Sequence, residues 1–294
     1  MTTGVASLTA SAGGLVGAWS RTRSLGRGVS FNGVLVGCSM IWLLLVVVAS
    51  VAPSLLAPGD PVTLHPTEVL RPPSAEAILG TEQYGRSVYL LLVHGARTAI
   101  TIGVAATALA VVAGCLVGLV AGYAGGVVDA VIGRLLDIMM ALPGVLLALV
   151  ITAAAGPSVG VLILSVGVAS MAGFARLMRG EVLSTRNRLY IEAARATGIG
   201  PARILFRHVL PNAFAPVAAL ATIAVGEAIL VAAALSFLGL GPHLDVPDWG
   251  QLLSAGQAYL RQSWWVSTFA GIVISLTVIS VGLVGDWLRD RASR

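Results

Sequence analysis

An all-α integral membrane protein with six membrane-crossing helices is the fold class this sequence predicts, and three observations carry it. The 294 residues are 57% apolar and only 11% charged, with a mean hydropathy of +0.92, far from the composition of a soluble domain. Six stretches approach the roughly 20 apolar residues that a helix needs to cross a bilayer core about 30 Å thick. The basic residues concentrate in alternate connections between those stretches, as positive flanks retained on the cytoplasmic side do.

The first span runs over Val34 to Ala52, behind an N-terminal tail of residues 1–33. In that tail the arginines follow a weak apolar patch instead of preceding it, the reverse of a secretory signal, so a cytoplasmic tail is expected. Residues 53–98 form an extracytoplasmic loop, because Pro53, Pro58, Pro61, Pro66, Pro72 and Pro73 exclude a long helix there. The second span covers Ala99 to Val120. Along it Gly114, Gly118 and Gly122 repeat every four residues and Ala106 and Ala110 extend the stripe, which serves either close helix packing or a pore lining.

The third and fourth spans, Ile138 to Ala155 and Val159 to Ala175, share the turn Gly156-Pro157-Ser158 and form a helical hairpin. Residues 176–212 form a cytoplasmic loop, Phe214 to Leu238 the fifth span and Val266 to Leu283 the sixth, within a five-helix core over 99–288. A tail of residues 289–294 ends the chain. The external segment from Gly239 to Trp265 holds apolar residues at helical spacing from Trp249 onward, flanked by Trp249, Trp264 and Trp265 as in an interfacial helix or an aromatic belt. With the N-terminus inside, fourteen of the eighteen arginines lie on the cytoplasmic side and only Arg71, Arg86, Arg97 and Arg261 outside, which puts both termini in the cytoplasm.

The composition also excludes chemistry. All 18 basic residues are arginine, against 13 acidic ones, for a net charge of +5; without lysine the chain has no phosphate-gripping or Schiff-base lysine. Any ATP hydrolysis must come from a partner. Cys38 and Cys115 sit in apolar runs and read as small core residues. His65, His94, His208 and His243 fall in loops or near interfaces, with no metal-binding or nucleophile-elbow motif around them, so no catalytic, cofactor or metal residue is expected. Glu227 is the one carboxylate deep in an apolar span; it either bonds to a neighbouring helix or lines a polar translocation pathway.

The cytoplasmic loop is the most informative stretch. Leu189 to Thr197 is a good helix former, Gly198 and Gly200 allow a positive-φ exit, and Pro201 suits the first turn of a second helix that Pro211 should stop. Arginines and the apolar Ile199, Ile204, Leu205 and Phe206 are then exposed as a docking surface.

Glu192-Ala193-Ala194, Gly198 four residues later and Leu210-Pro211 resemble the signature loop of permease subunits of bacterial ATP-binding-cassette importers. Arg207-His208-Val209-Leu210-Pro211-Asn212 is similar to the dipeptide and oligopeptide C-type branch, although His208 stands where the general pattern has isoleucine. Further matching pieces are Leu79-Gly80-Thr81-Glu82-Gln83-Tyr84-Gly85-Arg86, Gly122-Tyr123-Ala124-Gly125-Gly126, Ala234-Leu235-Ser236-Phe237-Leu238-Gly239-Leu240-Gly241 and Trp249-Gly250. Many relatives carry a glutamate where this chain has Ala232; here the acid is Glu227.

The resemblance implies a type I importer fold and half of a translocation pathway for di- to oligopeptides. Implied partners are ATPase subunits that hold ATP and magnesium, a second homologous permease, an extracytoplasmic substrate-binding protein and membrane lipid, with no nucleic acid. The implied coupling residues are Tyr190, Glu192, Ala193, Ala194, Arg195, Gly198, Ile204, Phe206, Arg207, Leu210 and Pro211. Import of nickel chelates, glutathione or another small solute by the same machinery stays open, as does a non-transporting membrane partner of an ATPase.

Overall fold

The computed structural model describes residues 31–292, and the N-terminal tail lies outside the described residues except for Phe31 to Gly33, which open the first helix. Eleven α-helices follow: α1 (Phe31–Val51), α2 (Pro53–Leu56), α3 (Val88–Ala124), α4 (Gly126–Ala141), α5 (Gly144–Ala155), α6 (Val159–Arg186), α7 (Leu189–Ala196), α8 (Pro201–Ile204), α9 (Leu210–Leu235), α10 (Trp249–Gln257) and α11 (Trp264–Ala292). Among the described residues α1, α3, α6, α9 and α11 each contain a stretch long and apolar enough to cross a membrane, and α4 with α5, bent by 86°, passes the same test only as a pair, which makes five or six spans.

That bend corrects the expectation of one continuous third span. Pro143 has no N–H to give to α4, and it pushes Leu142 into an extended conformation (φ −94°, ψ 137°), so the helix must end and restart. The hairpin that follows is as expected. Gly156 leaves α5 at φ 91°, and the Ser158 hydroxyl accepts from the Val161 N–H at 3.1 Å to cap α6. Buried Thr152 and Ser165 join the two helices by a 2.8 Å hydroxyl bond.

α3 packs along α6, and its glycine stripe is the reason the two come so close. A Cβ on Gly114 would stand 2.7 Å from the Met171 carbonyl, and one on Gly122 would stand 2.9 Å from the Val182 Cβ. The stripe therefore serves packing. α9 lies against both α3 and α11, with Gly103 facing Ile229 and Gly226 facing Val281. α3 begins at Val88 rather than Ala99, because the apolar run Val88 to Val93 continues the helix and Gly95 lets the Trp249 ring lie against it.

Two cores close the ends of the helix group. Away from the arginines, Val88, Leu92, Trp249, Leu252, Trp265 and Val266 pack together. Trp249 and Trp265 are buried here, which corrects the interfacial reading: their indole N–H groups donate to the Leu92 carbonyl at 2.8 Å and the Thr81 carbonyl at 3.2 Å. Trp264 alone of the three is exposed. In the same region Glu82 and Arg86, both buried, form an ion pair at 3.0 Å, and a further Arg86 N–H donates to the Leu244 carbonyl at 3.0 Å. This couples the connection before α3 to the one before α10.

Asp248 caps α10 by accepting the Gln251 N–H at 2.9 Å, and burial raises its pKa above the usual carboxylate value. The second core, at the arginine-rich end, is formed by Met178, Val182, Ile191, Ile204, Val209, Ala213 and Val217. α11 runs on through Arg289 and Arg291, so the described part of the expected C-terminal tail is helical. The Arg291 guanidinium lies 3.9 Å from the centre of the Trp287 ring.

Candidate functional site

The segment between α6 and α9 is a short helix, a glycine exit and a second helix that merges into the fifth span. α7 is amphipathic. Ile191 is fully buried against Val182 and its neighbours, while Leu189, Tyr190, Glu192, Ala193 and Arg195 are exposed and Ala194 is half-buried. Gly198 ends the helix at φ 79°, whereas Gly200 is extended (φ −61°, ψ 150°), so only the first glycine supplies the positive-φ exit. Pro201 occupies the first turn of α8.

Two expectations change here. Ile204 is buried at 1% exposure and works as a second staple beneath the segment, with Ile199 and Leu205 half-buried beside it; Phe206, at 64%, and Arg207 remain on the surface. Pro211 does not stop the second helix. Leu205 to Val209 form a π-helical turn, in which the Leu210 N–H reaches back to the Leu205 carbonyl, and this wider turn accommodates Pro211 in the first turn of α9, where a missing N–H costs little. Leu210 is half-buried and Pro211 exposed.

Several arginines of this end are structural. Arg186 donates to the Gly122 carbonyl at 2.7 Å and so completes the C-terminus of α3. Arg179 forms a two-pronged ion pair with Asp129, one bond at 2.8 Å, and Arg176 pairs with Asp137 at 2.6 Å, both pairs joining α4 to α6. The Tyr123 hydroxyl donates to the Pro201 carbonyl at 2.8 Å and ties the end of α3 to the start of α8. Arg188, Arg195, Arg203 and Arg207 stay exposed around Leu189, Tyr190 and Phe206. The result is a basic surface with apolar centres on a buried footing.

Glu227 lies elsewhere, about 25 Å along the helix axis from Leu210. It faces a groove of about 440 Å³ bounded by the α4–α5 corner (Met139, Leu142, Pro143), by α6 (Ser170, Gly173, Phe174) and by α9 itself. Ala232 is instead buried against α6 and α3 neighbours, so an acid there would stand on a different face. Among the described residues no cluster of three His, Cys, Asp or Glu side chains is placed to hold a metal ion.

Residues 114–294, which take in both the segment and the groove, match the family model of the binding-protein-dependent transport system inner membrane component. The chain belongs to that family. It is 38% identical over 257 residues to the di/tripeptide transport system permease protein DppC of Pseudomonas aeruginosa, covering 85% of each chain. It is 39% identical over 265 residues to the dipeptide transport system permease protein DppC of Escherichia coli K12, covering 88% of each.

Among solved structures it resembles the MetNI methionine ABC transporter in inward-facing conformations (TM-score 0.58, 18% identity, 69% of this chain and 97% of that one). It also resembles an amino acid ABC transporter (TM-score 0.55, 14% identity, 68% and 94%). The inner membrane component thus has the type I importer permease fold and is a multi-pass membrane protein.

Sequence reasoning missed Leu189 in the surface of this permease and the supporting roles of Ile191, Tyr123 and Arg186. Ile191 carried a readable signal, because it lies three residues before Ala194, on the same side of α7. The Tyr123 and Arg186 contacts span more than sixty residues of sequence and left no local trace.

Proposed function

We propose that this permease is one transmembrane subunit of an ATP-driven, binding-protein-dependent importer of di- to oligopeptides and forms half of its translocation pathway. The observation that carries the reading is the coupling segment. It rests on Ile191 and Ile204, is tied to α3 through Tyr123, and turns Tyr190, Glu192, Arg195, Phe206 and Arg207 outward. A partner ATPase that moves this segment moves α6 and α9 with it, because the footing is continuous with the core between them. A two-state transporter needs such a connection, since ATP binding must bias the packing of the spans at a distance.

ATP and magnesium are held by the ATPase subunits, and this chain contributes no catalytic group. The arginine asymmetry supports a cytoplasmic segment and cytoplasmic termini, with the connections before α3 and α10 on the side that receives cargo from a substrate-binding protein. A second, homologous permease completes the pathway. The names of the relatives support peptide cargo.

The test is to purify the tagged chain from its native membrane in mild detergent, identify what accompanies it, and measure peptide uptake by the reconstituted assembly. ATPase subunits, a second permease and a peptide-binding protein, with ATP-dependent uptake, are expected. Uptake of nickel chelates or glutathione but not peptides would redirect the cargo. ATP hydrolysis without uptake of any solute would identify a non-transporting partner instead.

A further inference from the structure

Two features that are each costly in a membrane meet at one place. Glu227 is a carboxylate in the middle of an apolar helix, and it has no hydrogen-bond or ion-pair partner among the described residues. The α4–α5 corner is irregular backbone, which membranes tolerate only where it is covered by protein or lines a cavity. Both border the same groove of about 440 Å³, within the usual range of small-molecule sites, about 300–1,000 Å³. Among the described residues Glu227 is the only ionisable side chain lining it, Ser170 supplies the one hydroxyl, and the remaining walls are apolar. Glu227 is exposed to the groove, so its unpaired carboxylate is open to attract a cation there.

We propose that Glu227 is a transient counter-ion for the protonated amine of the cargo as it passes this groove. The inference rests on the peptide-import reading and adds to it the end of the cargo that this chain recognises. Each peptide brings an ammonium group at its N-terminus; the carboxylate would hold it loosely enough to release, since the groove offers one charge and no clamp of several donors. A structural acid would behave differently, because its loss would disturb assembly rather than charge-dependent passage.

The experiment uses the full complex in vesicles, with its binding protein, ATP and a radiolabelled dipeptide, comparing wild type with Glu227→Gln, Glu227→Ala and Glu227→Asp. Uptake per ATP hydrolysed should fall about tenfold in both neutral variants, the scale of one lost charged contact, and stay within about twofold in Glu227→Asp. Two neutral variants are included so that a failure of either to assemble leaves the other as the test. Neutral variants that import as wild type does would overturn the proposal. So would equal losses in Glu227→Asp and Glu227→Gln, which would show that the fit of the side chain matters and its charge does not. An assembled wild-type complex that takes up no peptide would instead remove the peptide reading and this inference with it.

Discussion

The coupling segment at the arginine-rich end and the connections at the opposite end use the same residue types in opposite senses. In the coupling segment, Ile191 and Ile204 are buried and the charges of Glu192, Arg195, Arg203 and Arg207 face out. At the opposite end, charge is turned inward: Glu82 and Arg86 are buried against each other, and Trp249 and Trp265 donate their indole N–H groups to carbonyls of distant segments. One end is a supported surface with its charges turned outward, and the other is a lock in which Glu82, Arg86, Trp249 and Trp265 find their partners within the chain. On the proposed function, the first end carries the motion-transmitting contacts and the second holds the bundle rigid.

The comparison breaks most visibly at the lock. Glu82→Ala leaves the Arg86 guanidinium buried without its carboxylate and should cost about 3–5 kcal/mol, read as a lower melting temperature of the detergent-extracted protein. Loss of the footing comes next. Ile191→Ala opens a cavity beneath α7 and should destabilise by about 2–4 kcal/mol, with weakened retention of the ATPase on purification, although Ile191 itself is not on the surface.

Gly198→Val forces a β-branched residue to φ 79°, a strain of about 1–3 kcal/mol, although a Cβ there meets no neighbouring atom. ATP hydrolysis should persist while uptake falls; coupled uptake at the wild-type rate would show that the exit geometry of α7 is irrelevant to transmission.

The smallest effect sharpens the lock side. The raised pKa of Asp248 means that, between the usual carboxylate value and its own, the folded chain holds a proton that the unfolded chain releases. This contribution is complete below the unfolded pKa and disappears as pH rises through the folded one. Asp248→Asn keeps the α10 cap and removes the titration, so its stability relative to wild type should improve as pH rises through that window. Thermal melts of both proteins from acid to neutral pH would show it, and parallel curves would contradict it.

The five long apolar helices were legible because bilayer thickness imposes a length that any apolar run must meet, and the arginine-rich segment was legible because topology signals are local. What escaped depended on contacts between distant residues. Pro143 sits in an apolar run, and hydropathy alone does not register a missing N–H. The inward turn of Ile204 is set by the π-helical turn that follows it, which rotates the apolar positions relative to a regular helix. Trp249 looked interfacial by composition, and only the close approach of α3 at Gly95 makes it a core residue.

On the proposed function, the surface of α7 and the turn after α8 receives an ATPase. The most direct measurement is photo-crosslinking in the assembled, transporting complex from probes placed at Phe206 and, for contrast, at Leu244 in the opposite connection. A crosslink from position 206 to an ATPase polypeptide, absent from position 244, is the predicted result. An actively importing complex in which position 206 captures no ATPase would contradict the claim.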